Sequence, residues 1–212
     1  YVYGYNKEKN TSSVPPYGYG SNVDSTKNAR QGREARIVAK MNSLCDPCII
    51  AALYEASASG VKIDLIVRGI CCLRVGIPEV SENISVRSIV GNFLEHSRIF
   101  YFLNDGSPEV YMGSADWMPR NLDRRVEILF PVEDEALKEQ VIHILKVELE
   151  DNVKAHILQP DGTYEKEDKR GKVLINSQEQ FCLEAVQRVK EYRGEDDPAV
   201  TRIFKPIESG NI

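Results

Sequence analysis

Between residues 68 and 127, arginine, histidine, serine and asparagine recur in an order suited to holding an anion. Val67-Arg68-Gly69 closes an apolar run, and in open α/β sheets ligands collect beyond the carboxyl ends of strands. Lys40 and Asn42 close a neighbouring run and are expected to share a crevice with Arg68. Glu95-His96-Ser97-Arg98 leads into Ile99–Leu103; on an extended chain His96 and Arg98, two apart, project to the same side. Gly113-Ser114 and Asn121 add a hydroxyl and an amide that can donate to oxyanions. Trp117 to Glu127 holds the single tryptophan, three arginines (Arg120, Arg124 and Arg125) and two acids. That mixture fits a pocket wall in which acids hold arginines toward an anion.

The basic residues are partitioned by type. Residues 28–130 hold twelve basic and twelve acidic side chains, and only Lys40 and Lys62 among those bases are lysine. A guanidinium presents a planar fork that matches phosphate or carboxylate oxygens, which an ammonium cannot do. Residues 131–212 hold twelve bases against eighteen acids. The net charge of −5 argues against broad nucleic-acid binding, which works through summed phosphate neutralisation. At 212 residues, 42% hydrophobic and 28% charged, the chain suits one packed domain with a small appendage. No apolar run approaches the roughly 18–20 residues of a membrane span, and no secretory pattern opens the sequence, so a soluble, cytoplasmic protein is expected.

Five cysteines, two of them vicinal, make a poor disulfide framework. Cys45-Asp-Pro-Cys48 has the spacing of a redox pair, but no second pair or histidine cluster completes a zinc site; it also reads as a helix start with Pro47 in the first turn. His143 falls on a helix face, and His156 precedes an apolar strand without an assigned role.

The elements that must position these groups follow from periodicity. Residues 1–27, rich in Tyr, Gly and Ser, read as an arm that is either disordered or not native to the protein. Ala35–Ala39, a helix from Asp46 to Ser59 closed by Gly60, and a strand over Val61–Val67 compose a right-handed βαβ unit. Strands over 84–90, 98–103, 109–113 and 126–131, then a helix over 133–151 with acids in its first turn, complete a domain ending near residue 158. Residues 159–212 read as an extension with a helical segment near 177–193.

The strings Ile37–Ser43, Leu65-Ile-Val-Arg-Gly-Ile-Cys-Cys-Leu-Arg74, Phe93-Leu-Glu-His-Ser-Arg98 and Ser114-Ala-Asp-Trp-Met-Pro-Arg-Asn-Leu-Asp-Arg-Arg125 resemble the C-terminal phospholipase D-like domain of bacterial polyphosphate kinase, over roughly Asn28 to Gln180. The order His-x-Arg, Gly-Ser, Asn is also a degenerate phospholipase D motif, with Asp105 off its usual spacing. The resemblance implies an α/β fold, a phospholipase D-like mixed sheet flanked by helices, with a short C-terminal helical extension. It implies reversible transfer of the terminal phosphate of ATP to inorganic polyphosphate through a phosphohistidine carried by a preceding domain absent here. Arg68 and His96 would contact ATP, His96 as the catalytic residue, while Lys40, Arg98, Arg120, Arg124 and Arg125 are candidates for the polyphosphate path. Mg2+ would serve the parent enzyme through ligands outside this chain. Partners would be ATP or ADP, polyphosphate and the parent's other domains, with no nucleic acid among them, in a parent expected to be a homo-oligomer. Val75 stands where the family usually has proline, and Asn92 where an arginine is expected. Two other readings stay open: a dimeric phospholipase D-like phosphodiesterase, and a non-catalytic nucleotide- or polyphosphate-binding module.

Overall fold

Ile37 to Met41 is buried throughout, as a strand with helices on both faces must be. The computed structural model describes residues 2–3 and 19–193. The strand is β2 (Ala35–Met41), central in a nine-stranded mixed sheet. It pairs in parallel with β3 (Lys62–Val67) across the helix α2 (Pro47–Ala58), and antiparallel with β5 (Arg98–Asn104). On one side the sheet continues through β6 (Ser107–Gly113) and β7 (Glu127–Pro131) to the two-residue β1 (Val2–Tyr3). On the other it continues through β4 (Ile84–Ile89), parallel to β3, then β8 (Ala155–Leu158) and β9 (Tyr164–Lys166).

Alternation along β2 divides the core between two faces. Ile37, Ala39 and Met41 pack with Leu53 and Ala56 of α2 and with Phe100 and Phe102. Val38, together with Ile66 and Ile99, meets Val141 and Leu145 of α4 (Glu135–Glu150) on the other face. The expected start of α2 is present: Asp46 caps it by accepting from the Ile49 amide at 2.9 Å, with Pro47 at the first position. No helix among the described residues is long and apolar enough to cross a membrane.

Register gathers the interesting residues. Lys40 lies opposite Ile99, and Arg98 opposite Gly113. The carboxyl ends of β2, β3 and β6 and the start of β5 therefore share one rim. Pairing between β2 and β3 persists past the strands themselves, through Gly69 N–H to the Asn42 carbonyl at 2.8 Å and Leu44 N–H to the Ile70 carbonyl at 2.9 Å.

Three elements depart from the sequence reading. A helix α1 (Tyr19–Arg30) crosses the end of the segment read as an arm; the remainder of residues 1–27, apart from β1, lies outside the described residues. A short helix α3 (Pro119–Arg124) opens with proline in the segment read as a pocket wall, where no helix was expected. The hairpin of β8 and β9 straddles residue 158, so the sheet itself runs into the C-terminal extension. That extension ends, among the described residues, in α5 (Ser177–Arg193).

Asp151, fully buried, ties α5 to the sheet. Its Oδ1 accepts from the amides of Val153, Lys154 and Ala155, and its Oδ2 from the amide and hydroxyl of Ser177 at 2.8 and 2.7 Å. Arg87 donates to the carbonyls of Leu149 and Asp151 at the end of α4, a cation on the free carbonyls of a helix terminus. Five donors on one buried carboxylate cannot all be replaced by water, so Asp151→Ala is expected to destabilise by about 3 kcal/mol or more in chemical denaturation. It should also raise hydrogen exchange in α5 first; a loss under about 0.5 kcal/mol would contradict this role.

Candidate active site

Arg68 emerges from the end of β3 half-buried, and its position is fixed by Asn42 and Ser88. Its Nε donates to Asn42 Oδ1 at 2.8 Å, its Nη2 donates to the same oxygen, and the Ser88 hydroxyl donates to its carbonyl at 2.9 Å. The Asn42 amide in turn donates to Asp116 Oδ1 at 2.7 Å. Arg98 meets Asp116 with two parallel bonds, Nε to Oδ1 and Nη2 to Oδ2, both at 3.1 Å. Its remaining nitrogen, Nη1, donates to the His96 carbonyl at 2.9 Å. A continuous chain of contacts thus runs from Arg68 through Asn42, Asp116 and Arg98 to the backbone of His96. The His96 side chain is exposed.

The loop that carries Asp116 is anchored from below. Trp117 is buried and stacks on Phe100 with centroids 5.0 Å apart, and its carbonyl accepts from the amides of Cys45 and Asp46 at 2.8 and 2.9 Å. Beside it, buried Glu127 accepts from the Ser114 hydroxyl and from Asn121 Nδ2 at 2.8 Å. Ser114 and Asn121 are therefore joined, though through a carboxylate rather than around an open oxyanion.

Lys40 takes a different place from the one expected. It points to the α4 face, nearly inaccessible, and lies 3.2 Å from both Glu95 and Glu148. Of the two residues expected to share a crevice with Arg68, Asn42 does so and Lys40 does not: two residues earlier in the strand, it is enclosed by Glu95 and by Glu148 of α4. A side chain so enclosed cannot line a path for a polymer. Arg120, Arg124 and Arg125 are exposed, and no acid pairs with them among the described residues. The acids expected to hold them are otherwise placed: Glu127 serves Ser114 and Asn121, and Asp123 is exposed. Of the arginines expected at the site, the one held by an acid is Arg98.

Charge in the Lys40 cluster is uneven. Burial pushes the Glu148 carboxyl up to about 8, with the neighbouring Glu95 adding to the rise and Lys40 opposing it. Burial also raises Glu95, but Lys40 and the Gln178 amide outweigh it and leave that carboxyl below its ordinary value. At neutral pH the cluster is then an ammonium, a carboxylate and a carboxylic acid. Cys45, by contrast, neighbours Cys72, and burial followed by Cys72 pushes its thiol up to about 11, which leaves little of the thiolate that is the nucleophile in redox exchange. Among the described residues no group of three or more His, Cys, Asp or Glu could hold a metal ion. Asp116 has both oxygens engaged by donors. On the rim itself the buried carboxylate is committed to Asn42 and Arg98 and is not presented to a cation.

Sequence reasoning missed Asp116 as the hub, as well as Glu148 and Gln178. Glu148 carried a signal: with Val141 and Leu145 it falls on the buried stripe of α4. Gln178 carried none, because its partners are more than eighty residues away.

The family model of polyphosphate kinase C-terminal domain 2 matches residues 22–178. A polyphosphate kinase from Lactiplantibacillus plantarum is 53% identical over 170 residues, 80% of this chain and 24% of the relative. Polyphosphate kinase 1 from Chlorobaculum tepidum is 56% identical over 162 residues, 76% of this chain and 23% of the relative. The crystal structure of polyphosphate kinase from Porphyromonas gingivalis superimposes with a TM-score of 0.78 at 37% identity, over 84% of this chain and 28% of that one. The chain spans about a quarter of the length of the curated relatives it matches.

The Lys40 cluster makes stability depend on pH. Glu148 binds its proton more tightly folded than unfolded, so its contribution is full below the ordinary value of 4.5 and is lost as pH rises through about 8. Glu95 acts in the opposite sense, its contribution being lost only as pH falls through its lowered value. Glu148→Gln keeps the shape and removes the titration. Its unfolding free energy is expected to fall less than that of the parent chain between about pH 5 and about pH 8; parallel curves would show that Glu148 carries no extra proton.

Proposed function

Since the chain belongs to the polyphosphate kinase family as its C-terminal domain 2, we propose that it forms the phosphate-holding half of a site that transfers the terminal phosphate of ATP reversibly to inorganic polyphosphate. The observation that carries this reading is the contact chain from Arg68 to His96, which joins a guanidinium and the backbone that bears an exposed imidazole on one rim. Phosphoryl transfer asks little covalent chemistry of such a rim; it asks for positive groups held where charge spreads over the equatorial oxygens. Asn42 and Ser88 pre-set Arg68, so little reorganisation is needed when phosphate arrives.

In the reaction that the resemblance implies, a neutral imidazole on a preceding domain attacks the γ-phosphorus in line. The new N–P bond forms as the bond to the β,γ-bridging oxygen breaks, and ADP leaves with that electron pair; polyphosphate then takes the phosphoryl group. Arg68 would hold non-bridging oxygens through its unengaged Nη1 edge. The exposed imidazole of His96 would donate to the phosphates. Arg120, Arg124 and Arg125, free of acid partners on the described surface, would attract the polymer from outside. Arg98, committed to Asp116 and the His96 carbonyl, acts on this reading by holding the rim rather than by gripping the chain of phosphates. The cytoplasmic location, the magnesium requirement and the oligomeric parent belong to the same proposal.

In the full-length protein that carries this segment, Arg68→Ala and His96→Ala are each expected to lower polyphosphate synthesis by about 10²–10³-fold, the size of losing one preorganised donor. Thermal unfolding should change little. Near-normal synthesis by either variant would overturn the assignment. Replacing Arg120, Arg124 and Arg125 together with alanine should weaken polyphosphate binding most at low salt, since exposed charges are screened as ionic strength rises. Calorimetry at two salt concentrations reads this directly, and an unchanged salt dependence would exclude them from the path.

A further inference from the structure

We infer that Gln178, in the first turn of α5, is the positioning residue that fixes the segment carrying His96. The inference rests on the phosphotransfer reading of the rim. Residues 90–97 form neither helix nor strand, and Val90, Phe93 and Leu94 are 64%, 60% and 69% exposed, so apolar burial does little to hold them.

What holds them is a side chain that imitates a neighbouring strand. The Gln178 carboxamide accepts from the Phe93 amide at 3.0 Å and donates to the Phe93 carbonyl at 2.8 Å. Its second N–H donates to Glu95 Oε1 at 3.0 Å. The amide is buried, and all its usual donors and its acceptor oxygen are engaged. Glu95 uses its other oxygen for Lys40.

His96 is therefore gripped on both flanks. Gln178 and Lys40 hold residue 95, and Arg98, itself held by Asp116, takes the His96 carbonyl. Only the imidazole is left to act. Gly91 makes the arrangement possible: a Cβ there would lie 2.8 Å from Gln178 Cδ and closer still to Oε1, so any larger residue displaces the amide from its three partners. Ser177, bonded to Asp151, sets the turn from which Gln178 reaches. A catalytic group displaced by about 1 Å can lose on the order of 10² in rate.

The test uses the full-length protein carrying this segment. Gln178→Ala is expected to lower polyphosphate synthesis by about 10- to 100-fold, chiefly in kcat. Amides 92–97 should exchange faster while the strands β2 to β6 keep their protection. Gly91→Ala should give the same two signatures, but it should add little in the Gln178→Ala background, where the methyl group has room. Unchanged exchange at 92–97 in Gln178→Ala, or faster exchange with unchanged kcat, overturns the inference. So does loss of protection throughout β2 to β6 in both single variants, which would make the role purely structural. Full activity in His96→Ala, measured alongside, would instead overturn the reading of the rim itself, so the two failures fall on different variants and different observables.

Discussion

The carboxylate of Asp116 accepts from the Asn42 main chain and from two nitrogens of Arg98, and it is 3% exposed. A buried carboxylate is tolerable only when its oxygens are met by donors, and the donors that meet this one come from the ends of two strands. Satisfying one buried charge thereby fixes the spacing between the end of β2 and the start of β5. Arg68 leans on the first and His96 on the second. The bidentate geometry matters, because a lysine at 98 would offer a point charge without the fork that spans both oxygens and reaches the His96 carbonyl as well.

A second buried charge works from the opposite face. An ammonium within a protein core is destabilising unless paired, and Lys40 has two carboxyls at 3.2 Å. Were both ionised, the cluster would carry a net negative charge away from water. Burial resolves this by keeping the Glu148 proton on, which leaves one formal pair and one neutral acid. The helix α4, the strand β2 and the segment before His96 are thus joined by a cluster whose charge balance is local.

Much of this was readable from the chain. The βαβ unit, the later strands and α4 followed from periodicity, and the arginine-rich composition with Arg68 and the His96 motif pointed to the rim. The misreadings have physical causes. Lys40 lies two residues before Asn42, on the same strand, yet carboxyls from Glu95 and from Glu148 on α4 enclose it, and the sequence of the strand alone does not show what will cover it. Arg120, Arg124 and Arg125 have acids beside them in sequence, but α3 and buried Glu127 send those acids elsewhere. Asp116 and Gln178 act through partners 18 to 85 residues distant, and single-chain periodicity carries no trace of such pairings.

The pattern of strands and helices in the sequence draws a border near residue 158, but the hydrogen bonds of the rim do not respect it. Gln178 and Ser177 lie beyond that border, and the groups they satisfy lie before it. A fragment trimmed to the apparent domain would keep every arginine of the rim yet leave the Phe93 amide, one Glu95 oxygen and one Asp151 oxygen without their partners. The smallest unit able to present His96 correctly is therefore longer than the smallest unit able to build the sheet.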